Sequence, residues 1–113
     1  MAELDQHAGF SSLSAMRGGW VYMMANRYRG AMYVGVTADL AARVHAHRNG
    51  RGSKTVSEKK LFRLVWAEPV DCIEDGIAFE KRLKRWRRQW KFDLIERGNP
   101  DWDDLYDQLI GAN

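Results

Sequence analysis

Cysteine occurs once in the 113 residues, at Cys72, which excludes an internal disulfide and leaves no cysteine-based metal cluster. No run of about 18 apolar residues exists, so no transmembrane helix and no membrane association are expected. The opening residues, MAELDQHAGFSSLSAMRGG, start with acids and lack a basic segment followed by an apolar stretch. They are not expected to act as a secretory signal, and a cytoplasmic location follows. Repeats and low-complexity tracts are absent. Acids are also scarce where a two-metal site would need them: between Ile77 and Trp90 the sole carboxylate is Glu80.

What is present fits one domain with a modest core, at 45% hydrophobic and 12% aromatic residues. The net charge is only +3, but it is unevenly spread. Residues 43–91 hold 14 of the 18 lysines and arginines against six acids, whereas after Lys91 six acids face Arg97 alone. A basic middle with an acidic tail suits a face built for a polyanion such as nucleic acid, although solvated helices also carry many basic residues.

Residues 1–18 show weak periodicity and read as a flexible tail, with a short helical turn near 10–16, ahead of a domain over 19–112. Trp20, Tyr22 and Met24 alternate with Val21, Met23 and Ala25. Met32, Val34 and Val36 alternate with Tyr33, Gly35 and Thr37. With the turn NRYRG between them, these runs predict a β-hairpin. Thr37 is the expected N-cap of a helix with Asp39 in its first turn, Leu40 and Val44 facing the core, and Asn49-Gly50 at its end. Residues 50–60 read as a polar, basic loop. Residues 61–70 read as a third strand stopped by Pro69. A long helix from 73 to about 88 puts Phe79, Leu83, Trp86 and Trp90 on one buried stripe, extended by Leu94 and Ile95. Pro100 is expected to start a last helix that buries Trp102, Leu105, Leu109 and Ile110. The order predicts an α+β domain, a three-stranded antiparallel sheet flanked by helices.

Five residues stand out chemically. Tyr22 and Tyr33 lie on adjacent strands. Such tyrosines are ordinarily good strand formers with surface hydroxyls, but a phenol beside a cation accepts a proton or orients water more readily. Arg43 borders the apolar stripe. It either snorkels along Leu40 or offers its fork to a phosphate. His47 follows one turn later on the same face, while His45 points elsewhere. Glu80 is either an ordinary helix pair with Lys84, worth about 0.3–0.5 kcal/mol, or a single Mg²⁺ ligand. Magnesium needs only one or two carboxylates when substrate phosphate and water complete its shell. Arg48, Arg51, Lys54, Lys84, Arg87 and Arg88 are candidates for contacts with a nucleic-acid backbone.

Taken in order, Trp20-Val21-Tyr22, Tyr33-Val34-Gly35, the helix bearing Arg43, and the later FEKRLKRW with Glu80 resemble the GIY-YIG nuclease domain. The resemblance covers residues 19–110. It is strongest to the small single-domain bacterial members, related to the N-terminal nuclease module of the UvrC excision-repair subunit. It implies a GIY-YIG-like α/β sandwich and a metal-dependent endonuclease that hydrolyses DNA with a single Mg²⁺, or Mn²⁺, in DNA repair or recombination. It implies Tyr22 as general base or water-orienting group and Tyr33 as a positioning group. Arg43 would stabilise charge on the scissile phosphate, His47 would assist proton transfer, and Glu80 would hold the metal. Gly35 and Asn99 would support the site.

DNA is the implied partner, with specificity supplied by a targeting protein, by oligomerisation or by substrate shape. The first tripeptide lacks the family's glycine and isoleucine, and a polar SKTVSEKK stands where relatives often place aromatics before the third strand. Two other readings compete: a non-catalytic nucleic-acid-binding module that keeps the fold, and a protein-interaction domain using the acidic, tryptophan-bearing C-terminal segment.

Overall fold

The period-two pattern is realised as a hairpin. Strands β1 (Gly19–Ala25) and β2 (Met32–Thr37) pair antiparallel, with Tyr22 opposite Gly35 and Met24 opposite Tyr33. Strand β3 (Arg63–Val70) pairs antiparallel with the other side of β1, giving the order β2-β1-β3. The structure is a computed structural model and describes residues 18–111, so the expected tail over 1–18, apart from Gly18, and the domain's end at 112 lie outside the described residues. Between β2 and β3 run helices α1 (Leu40–Arg48) and α2 (Lys54–Lys59). After β3 come α3 (Ile73–Arg85), α4 (Arg88–Gly98) and the short α5 (Tyr106–Leu109). None of these helices is long and apolar enough to cross a membrane. The architecture is the expected three-stranded antiparallel sheet flanked by helices.

Every residue of β1 is buried, because it is the central strand and both faces are covered. Trp20, Tyr22 and Met24 pack under Leu40 and Val44 of α1, Val56 of α2 and Leu109 of α5. Val21, Met23 and Ala25 pack under Leu83 of α3, Phe92 and Ile95 of α4, and Trp102. Gly76 lets α3 close on the sheet, since a Cβ there would stand 2.9 Å from a methyl of Val36.

The structure differs from the sequence expectation at five places. Asp39, not Thr37, caps α1, its carboxylate accepting from the Ala42 amide, while Thr37 ends β2. The expected loop over 50–60 contains α2, capped by the Ser53 hydroxyl and anchored by the fully buried Val56. Pro69 does not stop β3. It sits opposite Trp20 near the strand's end, tolerated because β3 is an edge strand.

The long helix is two helices. Trp86 and Arg87 take extended backbone geometry, and Arg88 donates to the carbonyls of Arg29 and Gly30 in the hairpin turn. Trp90 therefore leaves the buried stripe and is 49% exposed. Finally, Pro100 starts no helix. The chain turns through Trp102 at φ 58, buries its indole, and forms α5 only from Tyr106, leaving Ile110 exposed. Glu96 fixes this turn by accepting from Arg29 and from the Trp102 indole N–H, which hold its carboxyl down at about 2.

Candidate active site

Tyr22 lies mid-strand on the face beneath α1, where its ring crosses the strand opposite. A Cβ on Gly35 would stand 2.6 Å from both Cζ and Oη of that ring. Gly35 is therefore required by the close approach of the phenol. The Tyr22 hydroxyl meets Nε2 of His47 at 2.8 Å. Tyr33, half-buried at the mouth of the cluster, has its ring 6.3 Å from Tyr22 and edge-on to His47 at 5.5 Å. The two phenols and the imidazole thus form one aromatic, hydrogen-bonded unit.

Burial sets its protonation. His47 is 1% exposed, and its pKa lies below the ordinary histidine value, first because burial disfavours the cation and then because Arg43 repels it. It is a neutral imidazole at pH 7. Burial likewise pushes the Tyr22 phenol well above the ordinary tyrosine value. Tyr33 and the Glu80 charge add to that rise, and Arg43 opposes it. Tyr22 is therefore a phenol, not a phenolate, at neutral pH. The other imidazole nitrogen, Nδ1, has no hydrogen-bond partner among the described residues. It faces the backbone of Gly52, where a Cβ would stand only 2.1 Å away. Gly52 is the one site residue that sequence reasoning missed. No periodicity or motif marks it, and its role follows only from how the 50–53 segment folds back over His47.

Arg43 sits exposed on α1 one turn before His47 and forms no ion pair among the described residues. It lines an open depression of about 560 Å³ with Val36, Thr37, Asp39 and Ile73. An exposed guanidinium with no ion pair among the described residues is suited to an oxyanion. Glu80 belongs to α3, the helix over the opposite sheet face, yet its charge is felt at Tyr22. Its side chain is 15% exposed and its Oε2 accepts from Lys84 at 2.8 Å.

The donor set fits a hard divalent cation. Glu80 is a single partly shielded carboxylate, and among the described residues no group of three or more His, Cys, Asp or Glu side chains could hold a metal ion.

The remaining candidates separate by what they touch. Arg48 bonds to Asp104 and lies over the Tyr106 ring, anchoring the C-terminal segment. Arg88 is committed to the turn carbonyls and Lys84 to Glu80, while Arg87 lies over Trp90. Lys54 has only a loose 3.9 Å contact with Glu58, and Arg51 is exposed. Asn99 is buried away from the phenols. Its amide donates to the carbonyls of Val65 and Asp103, and its oxygen accepts from the Asp103 amide, so it holds the turn that carries Trp102.

The GIY-YIG catalytic domain matches over residues 18–93, a span that includes Tyr22, Tyr33, Arg43, His47 and Glu80 and ends before Asn99. A UPF0213 protein of Staphylococcus saprophyticus is 32% identical over 69 residues, covering 61% of this chain and 84% of the relative. One of Aeromonas salmonicida is 30% identical over 88 residues, 77% of this chain and 63% of the relative. One of Vibrio cholerae is 29% identical over 85 residues, 74% of this chain and 84% of the relative. No solved structure matches.

Proposed function

The chain belongs to the GIY-YIG family, and on that premise we propose that it is a metal-dependent endonuclease hydrolysing DNA phosphodiester bonds with a single Mg²⁺, or Mn²⁺, at Glu80. A place in DNA repair or recombination extends the same reading. The observation that carries it is the buried Tyr22–His47 hydrogen bond at 2.8 Å, one turn of α1 from the exposed Arg43. A divalent ion at Glu80 supplies charge neutralisation for the scissile phosphate and its leaving oxygen.

The protein's own groups divide the rest of the work. Because Tyr22 is held as a phenol, it is no ready-made anionic base. It accepts the attacking water's proton at Oη while passing its own proton to Nε2 of neutral His47. That transfer uses the tautomer with its proton on Nδ1, which faces Gly52 with no acceptor among the described residues, at a cost of about 1–3 kcal/mol. Arg43, which disfavours charge on His47, promotes return of the proton once hydrolysis is complete. Its fork also binds the non-bridging phosphate oxygens where charge develops. Tyr33, at the mouth of the cluster, positions water and phosphate.

Incubation of wild type and Glu80→Ala with supercoiled, branched and single-stranded DNA in Mg²⁺ or Mn²⁺ tests the reading. The wild type cleaves only with metal, and the variant does not. Identical behaviour of the two would refute catalysis at this site. Steeply salt-dependent binding without cleavage would favour the non-catalytic module instead.

A further inference from the structure

The elbow between α3 and α4 breaks the apolar stripe and turns Trp90 outward, leaving it 49% exposed. Trp90 is no isolated surface aromatic. The half-buried Trp86 meets it edge-on at 6.0 Å and 84°, and the guanidinium of Arg87 lies 5.3 Å from its ring centre. The surrounding charge has one sign. Residues 81–91 carry seven lysines and arginines and no acid. Lys84 and Arg88 are held by Glu80 and by the turn carbonyls, but Lys81, Arg82 and Arg85 are exposed and form no ion pair among the described residues. Such a rim favours an occupant that is polyanionic and also offers a flat apolar face. Nucleobases of an unpaired strand meet both conditions. Bases inside a duplex do not, since both of their faces are already stacked.

We propose that Trp90, braced by Trp86 and Arg87, is a stacking platform for an unpaired nucleotide whose strand lies along the basic α3–α4 elbow. The nuclease reading gains from this a substrate class: strands with unpaired segments, such as flaps, gaps or single strands. The platform lies beyond the end of the helix that carries Glu80, roughly 8 Å along its axis from that carboxylate to the last turn. The proposal rests on the nuclease reading only for the meaning of the substrate; the binding itself needs no metal.

The test is anisotropy binding of the full chain, in EDTA, to a labelled 12-nucleotide single strand, the same strand with abasic sites, and the matching duplex. DNA and RNA versions distinguish the two sources of an unpaired strand. The wild type is expected to prefer the base-bearing single strand over the abasic strand and the duplex. Trp90→Ala should weaken that strand roughly tenfold and the other two less than twofold, and Trp90→Phe should restore most of the loss. Equal wild-type affinity for normal and abasic strands would overturn the proposal whatever the variants do. So would Trp90→Ala weakening all three ligands alike, which would indicate charge alone, or none of them, which would leave the patch to a protein partner. Failure of metal-dependent cleavage would leave these binding results untouched, so the two readings fail separately.

Discussion

Gly52→Ala is the substitution whose effect the site's geometry specifies most sharply. The added Cβ would stand 2.1 Å from Nδ1, 2.6 Å from Cε1 and 3.1 Å from Cγ of His47. Comfortable contact needs about 3.5 Å, so the imidazole or the 50–53 backbone must move by more than 1 Å. The backbone of Gly52 is not in the left-handed region, so alanine brings no conformational strain of its own. His47 is enclosed at 1% exposure and tied to Tyr22.

Overpacking there should destabilise the fold by about 1–3 kcal/mol. If the ring swings away instead, the loss of the Tyr22 hydrogen bond costs a similar amount. Removing the ring relieves the clash. In a His47→Ala background the three nearest atoms to that Cβ are gone, so Gly52→Ala should lose most of its penalty, and reduced freedom of the unfolded chain should offset about 0.4–1 kcal/mol of what remains. Urea denaturation of the four proteins in a double-mutant cycle measures this. An equal effect of Gly52→Ala in both backgrounds would refute the argument that Gly52 exists to seat His47.

Other outcomes follow from the same contacts. Tyr22→Phe keeps the ring over Gly35 but removes Oη. Single-turnover cleavage should fall about 10²–10⁴-fold, and stability by about 1–3 kcal/mol, because His47 Nε2 loses its partner. The cleavage rate should rise with pH on a limb below the ordinary histidine value and stay flat past pH 10, since His47 must be neutral and Tyr22 is already protonated. A rate that climbs continuously to pH 10 would instead mean that ionised Tyr22 is the base. Arg43→Gln should move the acid limb upward, because Arg43 helps lower the His47 pKa. For stability the sign is fixed by the unfolded chain binding the His47 proton more tightly. His47's contribution is complete above about pH 6.5 and is lost as pH falls, a slope that His47→Gln should flatten in thermal melts. Asn99→Ala leaves the Val65 and Asp103 groups unpaired and should cost about 1–3 kcal/mol while leaving the pH–rate profile unchanged.

The hairpin and α1 were legible because burial there obeys simple periods. Alternation along β1 and β2 puts Tyr22 and Tyr33 on adjacent strands, and the i, i+4 spacing aligns Arg43 with His47, whereas the pairing of Tyr22 with Gly35 is a matter of register that only the structure shows. Helix α2 was hidden because it buries one residue of six, so its composition reads as loop although Ser53 is a good cap. The α3–α4 elbow was hidden for the opposite reason. The apolar pattern runs on without glycine or proline, and the break comes from tertiary demand as Arg88 reaches the hairpin turn. Sequence also treats every cation as free, whereas the fold commits Arg48, Lys84 and Arg88 to internal partners. The buried left-handed turn at Trp102 breaks a propensity rule that only its packing against Phe92 and its bond to Glu96 explain.

The central claim is that Tyr22, His47, Arg43 and Glu80 serve one phosphate and one metal ion. The most direct measurement is anomalous diffraction at the manganese edge from crystals of the Tyr22→Phe variant with a DNA oligonucleotide and Mn²⁺. One manganese peak at the Glu80 carboxylate, with a DNA phosphate on Arg43 beside residue 22, is the expected result. Manganese bound away from Glu80, or DNA seated with no phosphate near Arg43 and residue 22, would contradict the account.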